Sequence, residues 1–522
     1  MRTGTGIILW LALCLAGSAA EQSVVVGTAS GKLAGRRSED GRVVSFKGVP
    51  FAAPPVGELR WKPPQPVAAW SEVRDAGSFG ASCVQHEREE FLPWTAEYLT
   101  HNRVSEDCLY LNIWTPRVEE HAGLPVIVFI HGGGFTEGAG DVAVYDGEHL
   151  AQRGVVLVTI NYRLGVFGFL AHPELTAESA EHSSGNYALL DQIAALGWVR
   201  QNIRAFGGDS GRVTIWGQSA GAFSVGALIA SPLASGRFER AVADSGLGVA
   251  GMPMMSLAAA EKAGAEFAAA HHANTLRELR ALPAEELLGN GQGNGPRFGP
   301  IVDGWVLPDS PNARSAKGAD SDVPVVTGYQ ANDGLLFLPA TASADAFHKL
   351  AERQYGELAA EFEKLYAPKD GADSKSALIE AARDRERVSM FLWASRREKN
   401  HRQPVFLYYF DRAIPWPQHP EFGAFHSGEL PYFFGNLDQL ERPWEEQDRR
   451  LSEMVQTYLK NFAANGDPNG GGVPEWKRAE RGKPVVMELG ARMGPMPLAD
   501  KQRLDFWVRY FDSPAAAHAP VF

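Results

Sequence analysis

Cysteine is scarce in this chain: Cys14, Cys83 and Cys108 are all it has in 522 residues. No CxxC or HExxH arrangement occurs, so no metal site of a familiar spacing is expected. An excess of basic residues is missing too. The formal net charge is -12, which excludes a nucleic-acid surface built on Lys and Arg and otherwise favours solubility. Beyond the first twenty residues, no apolar run approaches the roughly 18 residues that a membrane span needs. No internal repeat is visible, and no Pro/Ser or Gly/Ser linker divides the chain into independent halves. A composition of 45% hydrophobic and 21% charged residues excludes collagen, a coiled coil and a mostly disordered chain. Gly and Pro are plentiful, 55 and 33 residues, and predict many tight turns and long loops.

The N-terminus carries Arg2, an apolar stretch from Ile7 to Ala16, and then Ser18-Ala19-Ala20. This reads as a secretory signal over residues 1–20, cut near Ala20, rather than as a buried N-terminal helix. It makes residues 21–522 the mature chain, secreted or periplasmic. Leu13 is too large for a lipid-attachment motif at Cys14, which would leave with the signal. That leaves Cys83 and Cys108. An even pair in an exported chain suggests one disulfide, with two separate buried thiols as the alternative. A bridge there would contribute about 3.5 kcal/mol through chain entropy, strain aside.

Short β-like runs open the mature chain: Val24 to Val26, Val43 to Phe46 and Leu109 to Trp114, with Pro54-Pro55 and Pro63-Pro64 between them. They read as edge sheet plus extended surface loops. After residue 123 the pattern changes. Leu124 to Ile130, Val155 to Ile160 and Val213 to Trp216 are continuous apolar runs separated by helical spacing, as between Tyr187 and Val199. Such runs predict a largely parallel sheet covered on both faces. Val323 to Thr327, Val405 to Phe410 and Val485 to Leu489 extend it. Residues 250–296 and 341–400 interrupt the pattern as helical insertions, the second including a helix over Asp384 to Arg396. One catalytic domain with insertions is the expectation.

Two motifs carry chemistry. Gly217-Gln218-Ser219-Ala220-Gly221 follows a strand and precedes a helical segment, the context a nucleophile elbow requires. Its glycines permit a sharp turn without side-chain collision, lifting Ser219 to the carboxyl edge of the sheet. His131-Gly132-Gly133-Gly134-Phe135 directly follows another strand. Three glycines bare the backbone, so successive N–H groups can converge on an oxyanion formed by ester attack. A phosphate loop is excluded here, because neither GxGxxG nor GKS/GKT follows.

At this point the chain resembles the type B carboxylesterase family, which includes cholinesterases and bacterial para-nitrobenzyl esterases. Further marks are Phe46-Lys47-Gly48-Val49-Pro50, Leu59-Arg60-Trp61, Ser105-Glu106-Asp107-Cys108-Leu109-Tyr110-Leu111-Asn112, Asn161-Tyr162-Arg163, Phe206-Gly207-Gly208-Asp209 and Val302-Asp303-Gly304. The resemblance spans most of the mature chain. It implies an α/β-hydrolase fold, with a large, mostly parallel sheet flanked by helices and helical insertions over the active site. It implies that Cys83 and Cys108 form the family's first disulfide. It also locates the partners of Ser219. The family's acid matches Asp333 in Gly328-Tyr329-Gln330-Ala331-Asn332-Asp333-Gly334, where the usual glutamate is replaced. Its histidine matches His426 in Gly423-Ala424-Phe425-His426-Ser427-Gly428-Glu429. Its oxyanion donors map onto the backbone N–H groups of Gly133, Gly134 and Ala220.

The order Ser219, Asp333, His426 fits this fold. The aspartate is one methylene shorter than glutamate, so its loop must approach the histidine more closely. Gln218 is a second departure, since most relatives carry glutamate there. It keeps hydrogen-bonding capacity but loses the charge that favours cationic substrates. Phe135, Trp216, Phe337 and Trp416 are candidate pocket walls. His131 is expected to support the glycine loop, and His271 and His272 to lie on the surface. The expected activity is hydrolysis of a small-molecule carboxylic ester through an acyl-enzyme, with no cofactor and an undetermined oligomeric state. Amide or carbamate hydrolysis at the same site, or a non-catalytic adhesion protein on the same scaffold, are the alternatives.

Overall fold

The computed structural model describes residues 23–289, 297–337, 343–368 and 374–518. The expected signal over residues 1–20 lies outside them, as does the glycine-rich stretch 290–296.

A 13-stranded sheet organises the chain. Its strands are β1 (Ser23–Gly27), β2 (Lys32–Arg37), β3 (Val44–Pro50), β4 (Tyr110–Thr115), β5 (Leu124–Ile130) and β6 (Val156–Ile160). They continue as β7 (Gly208–Gln218), β8 (Arg240–Asp244), β9 (Val325–Gln330), β10 (Val405–Phe410), β11 (Val485–Leu489) and β12 (Met493–Pro497). The spatial order is β1-β2-β3-β4-β6-β5-β7-β8-β9-β10-β11-β12, and the short strand Arg74–Asp75 adds to β2. From β6 through β11 every neighbouring pair is parallel. The two flanks are antiparallel, apart from Arg74–Asp75, which runs parallel to β2. The apolar runs behave as a doubly covered parallel sheet demands: every residue of β6, β9 and β10 is buried.

The early strands differ from an edge sheet in one respect. β4 pairs with β3 on one side and β6 on the other and is buried throughout. Among the elements that the sequence reading did not single out are β2, β8, β12, helix Glu446–Asn465 and helix Lys501–Phe511. The elbow strand β7 begins at Gly208, upstream of its apolar run, through an irregularity between Gly208 and Val213.

The insertions are helical where described. Residues 250–296 give Leu257–Ala270, Leu276–Ala281 and Ala284–Leu288. Residues 341–400 give Ala344–Tyr355, Ala359–Tyr366 and Ser374–Arg397. The last of these braces the turn after β9: Arg383 Nε donates to the Ala331 carbonyl at 2.6 Å and Nη2 to Asn332 Oδ1 at 3.3 Å.

The early motifs turn out to be braces around the sheet. Arg60 pairs with Glu106 and its guanidinium donates to the carbonyls of Arg280 and Leu282, tying the first insertion to the N-terminal loops. Asn112 in β4 accepts from the Gly48 N–H and donates to Thr159 in β6. Cys83 and Cys108 are joined in a disulfide, closing a loop whose residues reach the carboxyl edge of the parallel strands.

Candidate active site

Ser219 stands at the junction between β7 and helix Ala220–Ala230, with φ 58° and ψ -123°. This is a backbone conformation that a residue with a side chain adopts only when its surroundings impose it. The surroundings do so here. The Ser219 N–H donates to the Asp244 carbonyl at the end of β8, 2.9 Å away. A Cβ at Gly217 would stand 2.2 Å from the Gly221 carbonyl oxygen. A Cβ at Gly221 would stand 1.9 Å from the Ile130 carbonyl oxygen at the end of β5. Both glycines are there for close approach, and the serine takes the strain.

The glycine loop follows β5. Gly133 and Gly134 have φ of 103° and 62°, values that favour glycine. Among the described residues, their N–H groups donate to no protein acceptor. His131 anchors the loop. Its Nδ1 lies 2.8 Å from the Gly132 carbonyl, and its ring stacks on Tyr162 at 4.3 Å. Burial pulls its pKa down to about 4, so it stays neutral and structural. The Tyr162 hydroxyl donates to the His131 carbonyl, and Asn161 accepts from the Gly140 N–H. Arg163 of the same motif forms a buried pair with Asp191.

Asp333 begins the turn after β9 and is fully buried. Its Oδ1 lies 2.5 Å from His426 Nδ1. Its Oδ2 accepts from the Gln330 N–H and from the Ser245 hydroxyl, each at 2.8 Å. The two loops are stitched together: the Asn332 N–H donates to the Ala424 carbonyl at 2.9 Å, and Asn332 bridges Phe425. This backbone pairing gives the shorter aspartate its close approach. Ser219, His426, Gly133, Gly134 and Gln218 face one cavity of about 490 Å³. A second hollow of about 340 Å³, beside Trp61 and Trp305, is lined by no histidine.

Sequence and structure comparisons give these contacts a family. The model for the "Carboxylesterase family" matches residues 22–507. The chain belongs to the carboxylesterase family. It is 37% identical over 513 residues to a fumonisin B1 esterase of Sphingopyxis macrogoltabida, covering 94% of this chain and 92% of that one. It is 37% identical over 467 residues to a para-nitrobenzyl esterase of Bacillus subtilis, covering 85% and 90%. A solved thermophilic para-nitrobenzyl esterase superposes with a TM-score of 0.79 at 34% identity, over 92% of this chain and 99% of that one. The chain is thus a carboxylic-ester hydrolase with the α/β-hydrolase fold.

In this carboxylesterase several expected pocket walls lie elsewhere. Trp216 is fully buried, donates from Nε1 to Asp244 Oδ2 at 2.5 Å and stacks on Phe434 at 4.5 Å. Its place near the end of β7 turns it into the core. Phe135 is 4% exposed, packs edge-on against Phe169 at 5.3 Å and does not reach the cavity. Trp416 lies under the Arg442 guanidinium, 4.0 Å away, also off the cavity. The Phe337 side chain lies outside the described residues. Gln218 is the expected wall that does line the cavity.

The outer wall comes instead from the disulfide-closed loop. Trp94, Tyr98 and Thr100 line the cavity. Trp94 meets the His426 ring edge-on at 6.4 Å and donates to Ser427 Oγ at 3.3 Å. No spacing rule singles these residues out. Ser245, after β8, was equally silent; its Ser-Gly context signals only a turn.

Three further acids are buried near Asp333. Burial, helped by the neighbouring carboxylates, raises Glu429 and Glu386 well above the ordinary range. Burial pushes Asp244 up to about 7 against hydrogen bonds from Trp216 and Tyr408. Shifting these groups toward their protonated forms reduces the stacking of like charges behind the triad candidate. For Asp244 the linkage sign follows directly. Its contribution to stability is complete below the unfolded value of 3.8 and is lost as pH rises through about 7. Asp244→Asn removes that titration. Urea unfolding of both proteins across this pH window should show a shallower decline in the variant; parallel declines would mean that Asp244 ionises as freely folded as unfolded.

Proposed function

We propose that Ser219, His426 and Asp333 act as the nucleophile, general base and orienting acid of this esterase. One observation carries the reading: His426 is bonded through Nδ1 to Asp333, while its ring shares a cavity with a serine held on a strained elbow. Asp333 fixes the ring with Nδ1–H toward itself, leaving Nε2 to take the Ser219 hydroxyl proton. Ser219 Oγ attacks the ester carbonyl. The oxyanion is received by the N–H groups of Gly133, Gly134 and Ala220, the last at the start of the elbow helix. The imidazolium returns its proton to the alcohol as that leaves. Water then repeats the sequence on the acyl-enzyme, with His426 again as base.

Ser219→Ala is expected to lower kcat/KM on an aryl ester by at least about 10^4-fold with the fold intact. Mass spectrometry after organophosphonate treatment should place the label on Ser219 of the parent enzyme. Undiminished hydrolysis by the alanine variant, or a label elsewhere, contradicts the assignment.

The cavity favours uncharged esters. Its charged wall pair, Arg88 and Glu137, is mutually compensated, and Gln218 contributes no carboxylate. Aryl and short-chain esters are the first test substrates, and esterified mycotoxins are a natural class, in keeping with the fumonisin B1 esterase relative. A choline ester and its isosteric neutral analogue should give kcat/KM values within about threefold; a large cationic preference would count against this view of the cavity.

Residues 21–522 are proposed to form one catalytic domain, exported after loss of residues 1–20. No helix among the described residues is long and apolar enough to cross a membrane. N-terminal sequencing of the exported protein should begin at Glu21, and an intact Met1 terminus would refute export by cleavage.

A further inference from the structure

Gln218 reaches the base itself. Its Nε2 lies 3.2 Å from His426 Nε2, the ring nitrogen opposite the Asp333 bond. The side chain is 2% exposed, so water does not readily replace this partner. Its other amide atom rests on the glycine loop: a Cβ at Gly132 would stand 2.8 Å from Gln218 Oε1. The amide therefore spans from the loop to the imidazole, beside the serine that follows it in sequence.

The chemistry of the two groups decides what this contact favours. With the Nδ1 proton directed at Asp333, neutral His426 presents a lone pair at Nε2. An amide NH2 is a donor and satisfies that lone pair. Once Nε2 is protonated, the same arrangement sets N–H against N–H, and the amide must turn or withdraw. A carboxylate in the same place would do the reverse, because it can only accept. We infer that Gln218 is a positioning residue that holds His426 in its neutral, proton-accepting form. It thereby carries ester hydrolysis to lower pH than a glutamate at this position would allow.

During turnover the lone pair passes from the Gln218 amide to the Ser219 hydroxyl, whose proton then moves to Nε2. No other group is consumed. The inference rests on the triad reading above and adds to it a resting partner for the base.

Other titratable groups surround His426. Asp333 is in contact with it, and Glu429 lies three residues on in the same segment. Asp244 and Glu386 act electrostatically on or through Asp333. His86 and the Arg88–Glu137 pair line the cavity. The disulfide-closed loop presents the uncharged Trp94. All of these are common to the variants compared, so a difference between variants reports residue 218.

The test compares the parent with Gln218→Glu and Gln218→Met, the second being similar in shape without the donor. With a neutral aryl ester, kcat/KM is followed from about pH 5 to 9 and scaled to each protein's own plateau. The acidic limb should move up by about one pH unit in Gln218→Glu, about a tenfold loss at the foot of the limb. Gln218→Met should shift less, in the same direction. Superposed limbs for all three proteins overturn the inference. A second readout does not need turnover. The low-field proton NMR resonance between His426 and Asp333 is titrated in Ser219→Ala and in Ser219→Ala/Gln218→Glu. Midpoints about one unit apart support the role of Gln218, and equal midpoints overturn it. Because both proteins lack the nucleophile, this result stands apart from whether Ser219 is the attacking group.

Discussion

The start of the elbow helix touches the end of the neighbouring strand, with no side chain between them. Gly221 sits so close to the Ile130 carbonyl that even a methyl group would collide with it. Gly217 lets the helix fold back over its own strand in the same way. Ser219 is left to make the turn with a backbone angle that a serine avoids, locked by a hydrogen bond to β8. The strain is held by the buried ends of β5, β7 and β8, whose packing leaves the chain no room to relax. A less rigid scaffold would let Ser219 relax to an ordinary conformation.

The other two side chains depend on the same sheet by a less direct route. Asp333 and His426 leave β9 and the segment after β10, neighbouring parallel strands, so both loops emerge at one edge. Their backbones then pair through Asn332, Ala424 and Phe425. That pairing sets the separation of Asp333 and His426 before the side chains meet. The donors on Asp333 Oδ2 fix the carboxyl's rotation, so Oδ1 alone points at the imidazole. Burial shifts the neighbouring acids toward their neutral forms, which limits the negative charge opposed to Asp333 in the interior.

Much of this was legible because it resides in short-range pattern. Continuous apolar runs gave the parallel strands, and two glycine motifs at strand ends gave the turn and the bare backbone. The aspartate and histidine were readable only through family resemblance, since nothing local marks Asp333 off from a turn-forming Asp-Gly pair. What sequence could not give was direction. Trp216 lies within three residues of Ser219, yet strand alternation turns its indole toward Asp244 and Phe434. Ser245 and Trp94 reach the site from far along the chain, and their positions depend on β8 and on the closed 83–108 loop. Helix Glu446–Asn465 has an apolar face that packs on β5 and β7, but its charged opening residues masked that periodicity.

The disulfide thus has a role that stability alone does not describe. It closes the loop that presents Trp94 and Tyr98 to the cavity, and Trp94 touches both the His426 ring and Ser427. The same loop carries Arg88, which is paired with Glu137 and packs over Phe91 at 4.7 Å. Charge at this wall is therefore matched within the protein rather than offered to a substrate. Gln218 is uncharged as well, and the shape of this wall is set by a loop whose ends are covalently tied. Fixing that loop fixes the space beside His426 and, through Trp94, the edge of its ring.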